Sequence, residues 1–206
     1  LPALTPEARK RDADLRASTP AQPASYRDFT LYERCITRGL VGSVLPGGYN
    51  NGNQIVQSPG YVTIVNEMIH EARVVPLDGR AHVSPAIRSF LGDSRGHWEG
   101  DTLVVETKNI ADRPGLGLNT TGASPALTIT ERFTRTSDST LRYALTVDDA
   151  ATWTAPFTME LGLERDDGYG MFEYACHEGN QALRNILSGA RATERATANA
   201  TGRRPR

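Results

Sequence analysis

The sequence predicts a mainly β fold: an antiparallel calycin/lipocalin-like barrel or strongly bent sheet of about eight strands, with short N-terminal and C-terminal helices. A two-sheet sandwich is the rival topology. Three observations carry this. Leu127, Ile129 and Phe133, then Leu141, Tyr143, Leu145 and Val147, then Phe157, Met159, Leu161 and Leu163 recur at every second position. That period turns one face of a strand to a core and the other to water. Turn-forming residues punctuate the runs at Ser137-Asp138-Ser139 and Asp166-Asp167-Gly168, as in an antiparallel meander. Earlier in the chain, Glu99-Gly100-Asp101 divides two further apolar runs and reads as a hairpin turn.

In chain order, Thr5-Pro6-Glu7 is a helix start, with Thr5 as N-cap, Pro6 at the first helical position and Glu7 near the positive end of the dipole. The helix runs to about Ala17 and has almost no apolar stripe, so it is marginal by itself. Ser18 to Pro23 is a linker, and a second short helix is expected from about Tyr26 to Cys35, with Phe29, Tyr32 and Ile36 on one face. A Gly- and Asn-rich loop covers Gly39 to Asn53. Gln54 to Gln57 and Tyr61 to Val75 are strands separated by the turn Ser58-Pro59-Gly60. Ser84-Pro85 opens a brief helix ending at Gly92. The hairpin pairs Arg95 to Glu99 with Asp101 to Thr107 and offers Trp98, Leu103 and Val105 to the core. Tyr169 to Cys176 is the last predicted strand, before a helix from about Asn180 to Ala192 with Leu183, Ile186 and Leu187 on its apolar face. The expected organisation is an N-terminal arm over residues 1–25, one β-rich domain over 26–192, and a polar, basic tail over 193–206 that is disordered alone.

A chain of 206 residues with 38% hydrophobic content can bury one sizeable core. A formal charge of −1 without a basic cluster in the patterned region argues against a nucleic-acid partner. No apolar run is long enough to span a bilayer. Cys35 and Cys176 are the two cysteines. Without C-x-x-C or zinc spacing they read as one disulfide joining the start of the fold to its end, which places the protein in a periplasm or outside the cell. The first residues do not look like a signal peptide, so the expectation is an exported protein whose signal has been removed.

Glu131 is the most informative carboxylate, because the parity of Leu127, Ile129 and Phe133 puts it on the apolar face of its strand, where an acid must be paired or neutral. Glu67 shares parity with Val65 and Ile69, and Arg73 follows on the same parity. Two readings stand side by side: an interior acid/base site using Glu67, Glu131, His70 or His177, and a buried Glu–Arg network that fixes strand register. His70, His82 and His177 with Glu178 are residue types that bind zinc or copper, but no H-x-H or H-E-x-x-H spacing requires it, and no metal is assigned. Asn180 suits the cap of the final helix. Neither a G-x-S-x-G elbow, a Walker-type loop nor a dinucleotide fingerprint occurs, so no cofactor is assigned.

Seven separated phrases bear a resemblance. They are Cys35-Ile36-Thr37-Arg38-Gly39, Glu67-Met68-Ile69-His70, Pro76-Leu77-Asp78-Gly79-Arg80, Gly92-Asp93-Ser94-Arg95-Gly96, Trp98-Glu99-Gly100-Asp101-Thr102-Leu103-Val104-Val105-Glu106-Thr107, Glu131-Arg132-Phe133-Thr134 and Tyr174-Ala175-Cys176-His177-Glu178-Gly179-Asn180. In this order they resemble a large family of small, exported, β-rich bacterial proteins without an assigned activity. The resemblance spans roughly Tyr32 to Arg191 and implies location but no reaction. Two functions follow as expectations. The first is a non-catalytic extracytoplasmic binding or accessory subunit that docks on another protein, such as an envelope or membrane complex, through its sheet and tails. Leu1, Leu4 and Leu15 of the arm and Arg203 and Arg204 of the tail would make the contacts. The alternative is a small exported lyase, isomerase or hydrolase using the interior Glu and His residues.

Overall fold

The computed structural model describes residues 1–20, 22–111 and 123–201. Three strands, β1 (Asn53–Ser58), β2 (Tyr61–Asn66) and β3 (Ala72–Pro76), form one antiparallel sheet in that order. Five more, β4 (Asp93–Glu99), β5 (Thr102–Lys108), β6 (Thr128–Arg135), β7 (Thr140–Asp148) and β8 (Phe157–Glu164), form a second antiparallel meander. The described residues therefore form a mainly β fold with eight antiparallel strands in two sheets. Among the described residues the sheets do not join into a closed barrel, and β1, β3, β4 and β8 are all edges.

The alternating residues form the core as their parity predicts. Val62, Ile64 and Val75 from the small sheet pack with Val105, Ile129, Leu145 and Val147 from the large one. The sheets come together at β3 and β4, which lie side by side. Gly96 of β4 permits the approach: a Cβ there would lie 2.7 Å from Leu77 Cδ2 and 2.8 Å from Val75 Cγ1, closer than carbon atoms pack. Trp98, expected in the core, is 48% exposed. Its strand alternates such that Trp98 falls beyond the cover of the small sheet, whereas Leu103 and Val105 across the hairpin are buried.

Several expected elements are rearranged. The run from Tyr61 to Val75 is two strands, because a 3-10 turn at Met68–His70 breaks it. Ile69 and His70 there have φ of 58° and 46°, a left-handed conformation that is unfavourable for a β-branched residue. The segment Tyr26 to Cys35 contains a 3-10 turn at Tyr26–Asp28 rather than a helix, and the helix α2 (Leu40–Val44) falls inside the expected loop. Ser84 to Gly92 makes turns without a helix. Tyr169 to Cys176 is not a strand; its polar groups are drawn to Glu67 instead of a ladder. The count of eight thus holds with a different set of strands.

Cys35 and Cys176 are bonded, with Cα atoms 5.8 Å apart. The helix α1 (Pro6–Ser18) starts as read, with Thr5 Oγ1 accepting from the Ala8 amide at 3.1 Å. The arm, expected from its polarity to lie against another chain, packs instead on its own domain. Leu4 pairs with Trp153, the Thr5 amide donates to Thr152 O at 3.0 Å, and the Thr154 amide donates to Ala3 O at 2.9 Å. Arg11 Nη2 donates to Thr152 Oγ1 at 2.9 Å. Backbone pairing and one fully buried alanine, Ala8, replace the missing stripe. Asp149 organises the receiving loop by accepting from the Ser124 and Ala151 amides and from Thr152 Oγ1. Leu1 and Leu15 remain 79% and 55% exposed.

At the other end, the helix α3 (Ala182–Thr201) continues past the expected boundary near Ala192. Glu194, Arg195 and the alanines of that stretch are strong helix formers, so its polarity does not imply disorder. Arg191 ties α3 to the end of the linker, Nη2 donating to Pro23 O at 3.3 Å and Nη1 to the following Ala24 O at 3.0 Å. Arg203 and Arg204 lie outside the described residues. No described helix is long and apolar enough to cross a membrane.

Candidate binding cleft and buried carboxylates

Glu131 and Arg73 meet as strand parity implies. β6 directs Glu131 inward and β3 of the other sheet directs Arg73 toward it: Arg73 Nη1 lies 2.6 Å from Glu131 Oε2 and Nη2 lies 2.8 Å from Oε1. Tyr143 of β7 donates its hydroxyl to Glu131 Oε1 at 2.8 Å. The side chains of Arg73 and Glu131 are 4% and 0% exposed. Burial opposes the charge on Arg73, but the Glu131 carboxylate outweighs it and holds the guanidinium pKa above its ordinary value. Burial, and then the negative charge of Glu131, push the Tyr143 phenol far up, so it stays a donor. This bidentate pair links the two sheets through one buried node.

Glu67 occupies a second node. Asn50 Nδ2 donates to its Oε1 at 2.7 Å, Tyr169 Oη lies 2.9 and 2.8 Å from its two oxygens, and the Phe172 amide is 3.3 Å from Oε1. Burial pushes the Glu67 carboxyl up, but the bonds from Tyr169, Asn50 and the Phe172 amide outweigh it and hold the pKa below the ordinary range. Gly52 makes this closeness possible, since a Cβ there would overlap Glu67 Oε2 and lie 3.1 Å from Tyr169 Cε1. The left-handed Ile69 and His70 follow this carboxylate in sequence and the left-handed Asn50 donates to it, so strained backbone is concentrated around it.

Among the described residues Glu67 and Glu131 share no hydrogen-bond partner, and the side chains of His70 and His177 are exposed. The structure therefore separates the residues that an interior acid/base site would combine. His82 goes elsewhere again: its Nδ1 faces Asp93 Oδ2 at 2.8 Å and its Nε2 faces Glu106 Oε1 at 3.0 Å. No group of three or more His, Cys, Asp or Glu side chains among the described residues is placed to hold a metal ion. Asn180 caps α3 by accepting from the Ala182 amide at 3.1 Å.

Several partners were not legible. Tyr169 and Asn50 reach Glu67 from segments that carry no local signal for it. Glu71 binds the segment after Cys35 through the Thr37 hydroxyl, the Arg38 amide at 3.3 Å and Ser43 Oγ at 2.9 Å. Tyr32 Oη meets Tyr49 Oη at 3.2 Å and Tyr174 Oη at 3.3 Å, with the Tyr49 and Tyr174 rings stacked 6.3 Å apart. A regular spacing would have flagged such clusters, but these assemble across loops.

An open cleft of about 1430 Å³ lies beside the Glu67 node. The small sheet contributes Gln54, Ile55 and Gln57 of β1, and the large sheet contributes Leu161, Gly162, Leu163 and Glu164 of β8. Trp98, Leu103 and Phe133 line it as well, and Asn50, Gly52 and Tyr169 bring the Glu67 node to its wall. The cleft lies where the outer edges of the two sheets remain unpaired. The chain matches no protein-family model, no curated protein and no solved structure.

Proposed function

We propose that the protein is an extracytoplasmic, non-catalytic binding module: an accessory subunit that holds a segment of another protein in the cleft between its sheets. The observation that carries this reading is the cleft itself, a space of about 1430 Å³ bordered by both β1 and β8. Concave sites with mixed apolar and polar lining are where proteins take ligands. The buried carboxylates support the non-catalytic part. The Glu131 oxygens are taken by Arg73 and Tyr143, and those of Glu67 by Asn50, Tyr169 and the Phe172 amide. A carboxyl that acts as a general acid near neutral pH needs a raised pKa, and Glu67 is held below the ordinary range. The Cys35–Cys176 bond supports an oxidising compartment, in agreement with the resemblance to exported bacterial proteins. The arm is engaged on its own domain, so the partner is held by cleft and sheet edges.

The test is a cleft-filling variant. Gly170 lines the cleft and a Cβ added there meets no atom within 4 Å, so the side chain of Gly170→Trp starts in open space and adds bulk to the cleft. Affinity isolation from solubilised envelope is expected to recover a partner with the unsubstituted protein and to lose it with Gly170→Trp. Equal recovery with both refutes the reading. Turnover of a small substrate by the purified monomer, abolished in Glu67→Gln, would replace it with the exported-enzyme alternative.

A further inference from the structure

We propose that β8 is a template for strand addition, and that the segment it takes is an extended, basic stretch of the partner with apolar residues at alternate positions. This rests on the binding-module reading and specifies its mode.

Among the described residues β8 is the last strand of the large sheet, so one side of its backbone has no ladder. An unpaired edge is competent to hydrogen-bond an incoming strand. β8 spans eight residues, enough for a peptide of about 26 Å at the usual rise per residue. Phe157, Met159, Leu161 and Leu163 face the core yet stay only partly buried. A neighbouring strand with apolar residues on the same face would complete their cover. This edge also opens into the cleft, because Leu161, Gly162, Leu163 and Glu164 are part of its wall.

The charge around the edge selects the occupant. Glu160 and Glu164 are exposed on the outward face of β8, and Asp138, Asp166 and Asp167 stand at the cleft nearby. Arg165 is turned onto Asp167, at 2.7 Å, and Arg135 Nη1 donates to Asp138 O at 3.2 Å. Arg142 of β7 is exposed opposite Gly162, and Thr140 Oγ1 donates to Glu164. Five acids, Glu160, Glu164, Asp138, Asp166 and Asp167, thus stand against three arginines, Arg135, Arg142 and Arg165, around this edge; opposite charges on directly paired strands attract whereas like charges repel. Arginine or lysine at the outward positions of the added strand meets Glu160 and Glu164.

The probes are synthetic nine-residue peptides of alternating valine and arginine, the same peptide with glutamate for arginine, and the arginine peptide with proline at alternate positions. Binding is read by fluorescence anisotropy and by amide hydrogen exchange of the full chain. The arginine peptide is expected to bind and to slow exchange at alternate amides of β8, with affinity falling as salt rises. The glutamate and proline peptides are expected to bind at least tenfold more weakly, and Glu160→Gln with Glu164→Gln to weaken the arginine peptide by a similar factor. Because the peptide series uses the unsubstituted protein, the result stands even if that double variant folds poorly. Equal binding of the proline peptide, or protection mapping away from β8, overturns the proposal. If Gly170→Trp loses the envelope partner while the arginine peptide leaves β8 unprotected, strand addition fails and the binding module survives. If Gly170→Trp retains the partner, the module reading fails first.

Discussion

Replacing Glu131 isolates what the inter-sheet node contributes. In Glu131→Gln the Arg73 guanidinium, with its side chain 4% exposed, keeps a neutral partner and loses the carboxylate it pairs with. Removing one member of a buried pair typically costs about 3–5 kcal/mol, because the other charge remains buried and uncompensated. Tyr143→Phe removes one hydrogen bond to that carboxylate, 2.8 Å long, and should cost about 1.5–3 kcal/mol. The informative variant combines Arg73→Met with Glu131→Leu. If the two single losses were independent they would sum to about 6–10 kcal/mol. With no charge left to desolvate, the double variant should instead lie within about 2 kcal/mol of the parent. Urea unfolding with the disulfide intact, followed by the fluorescence of buried Trp153, measures all four corners of the cycle. A loss below about 1 kcal/mol for Glu131→Gln, or additive losses in the double variant, would refute the claim that this pair is a coupled, desolvated link between the sheets.

Three further outcomes are expected. The Cys35–Cys176 bond closes a sequence separation of 141, for which chain entropy gives about 5 kcal/mol; paired Ser substitutions should lower stability by that order in equilibrium unfolding. The folded pKa of Glu67 lies below its ordinary value of 4.5, so its contribution is fully present above about that pH and is lost as pH falls through the depressed folded value. Glu67→Gln should therefore flatten the acid limb of the stability-against-pH curve, and an unchanged slope would show that the carboxylate is not held as described. Deleting residues 1–18 strips Leu4 from Trp153, which is 2% exposed, so Trp emission should shift to longer wavelength and the midpoint of unfolding should fall. No shift would mean that the arm is not docked.

The five-stranded meander was legible because each strand alternates cleanly, and alternation is a local property. The partnership of Glu131 and Arg73 was legible for the same reason: a carboxylate and a guanidinium on core-facing parity must neutralise each other. Glu67 was harder. Its segment reads as a continuation of a strand, since Ile69 favours extended structure, yet the chain turns there because Glu67 bonds Asn50, Tyr169 and the Phe172 amide. That choice depends on residues far away in sequence, and it also removed the expected strand from Tyr169. Composition misled at both ends. The arm's few apolar residues hid a dock made of backbone pairing, and the polar stretch after Ala192 hid its helix propensity. The open cleft was invisible in the sequence, because alternation identifies which face of a strand is buried and says nothing about whether the first and last strands pair.

The central claim is that the cleft between β1 and β8 is the surface that holds another protein, and site-specific photocrosslinking tests it most directly. One photoreactive side chain replaces Leu163, which lines the cleft, and a second replaces Ile87, which is 62% exposed and is not part of that lining. After irradiation in intact envelope, the account predicts a discrete covalent adduct with a second protein from position 163 and none from position 87. Adducts from position 87 alone would place the partner on another face and contradict the account.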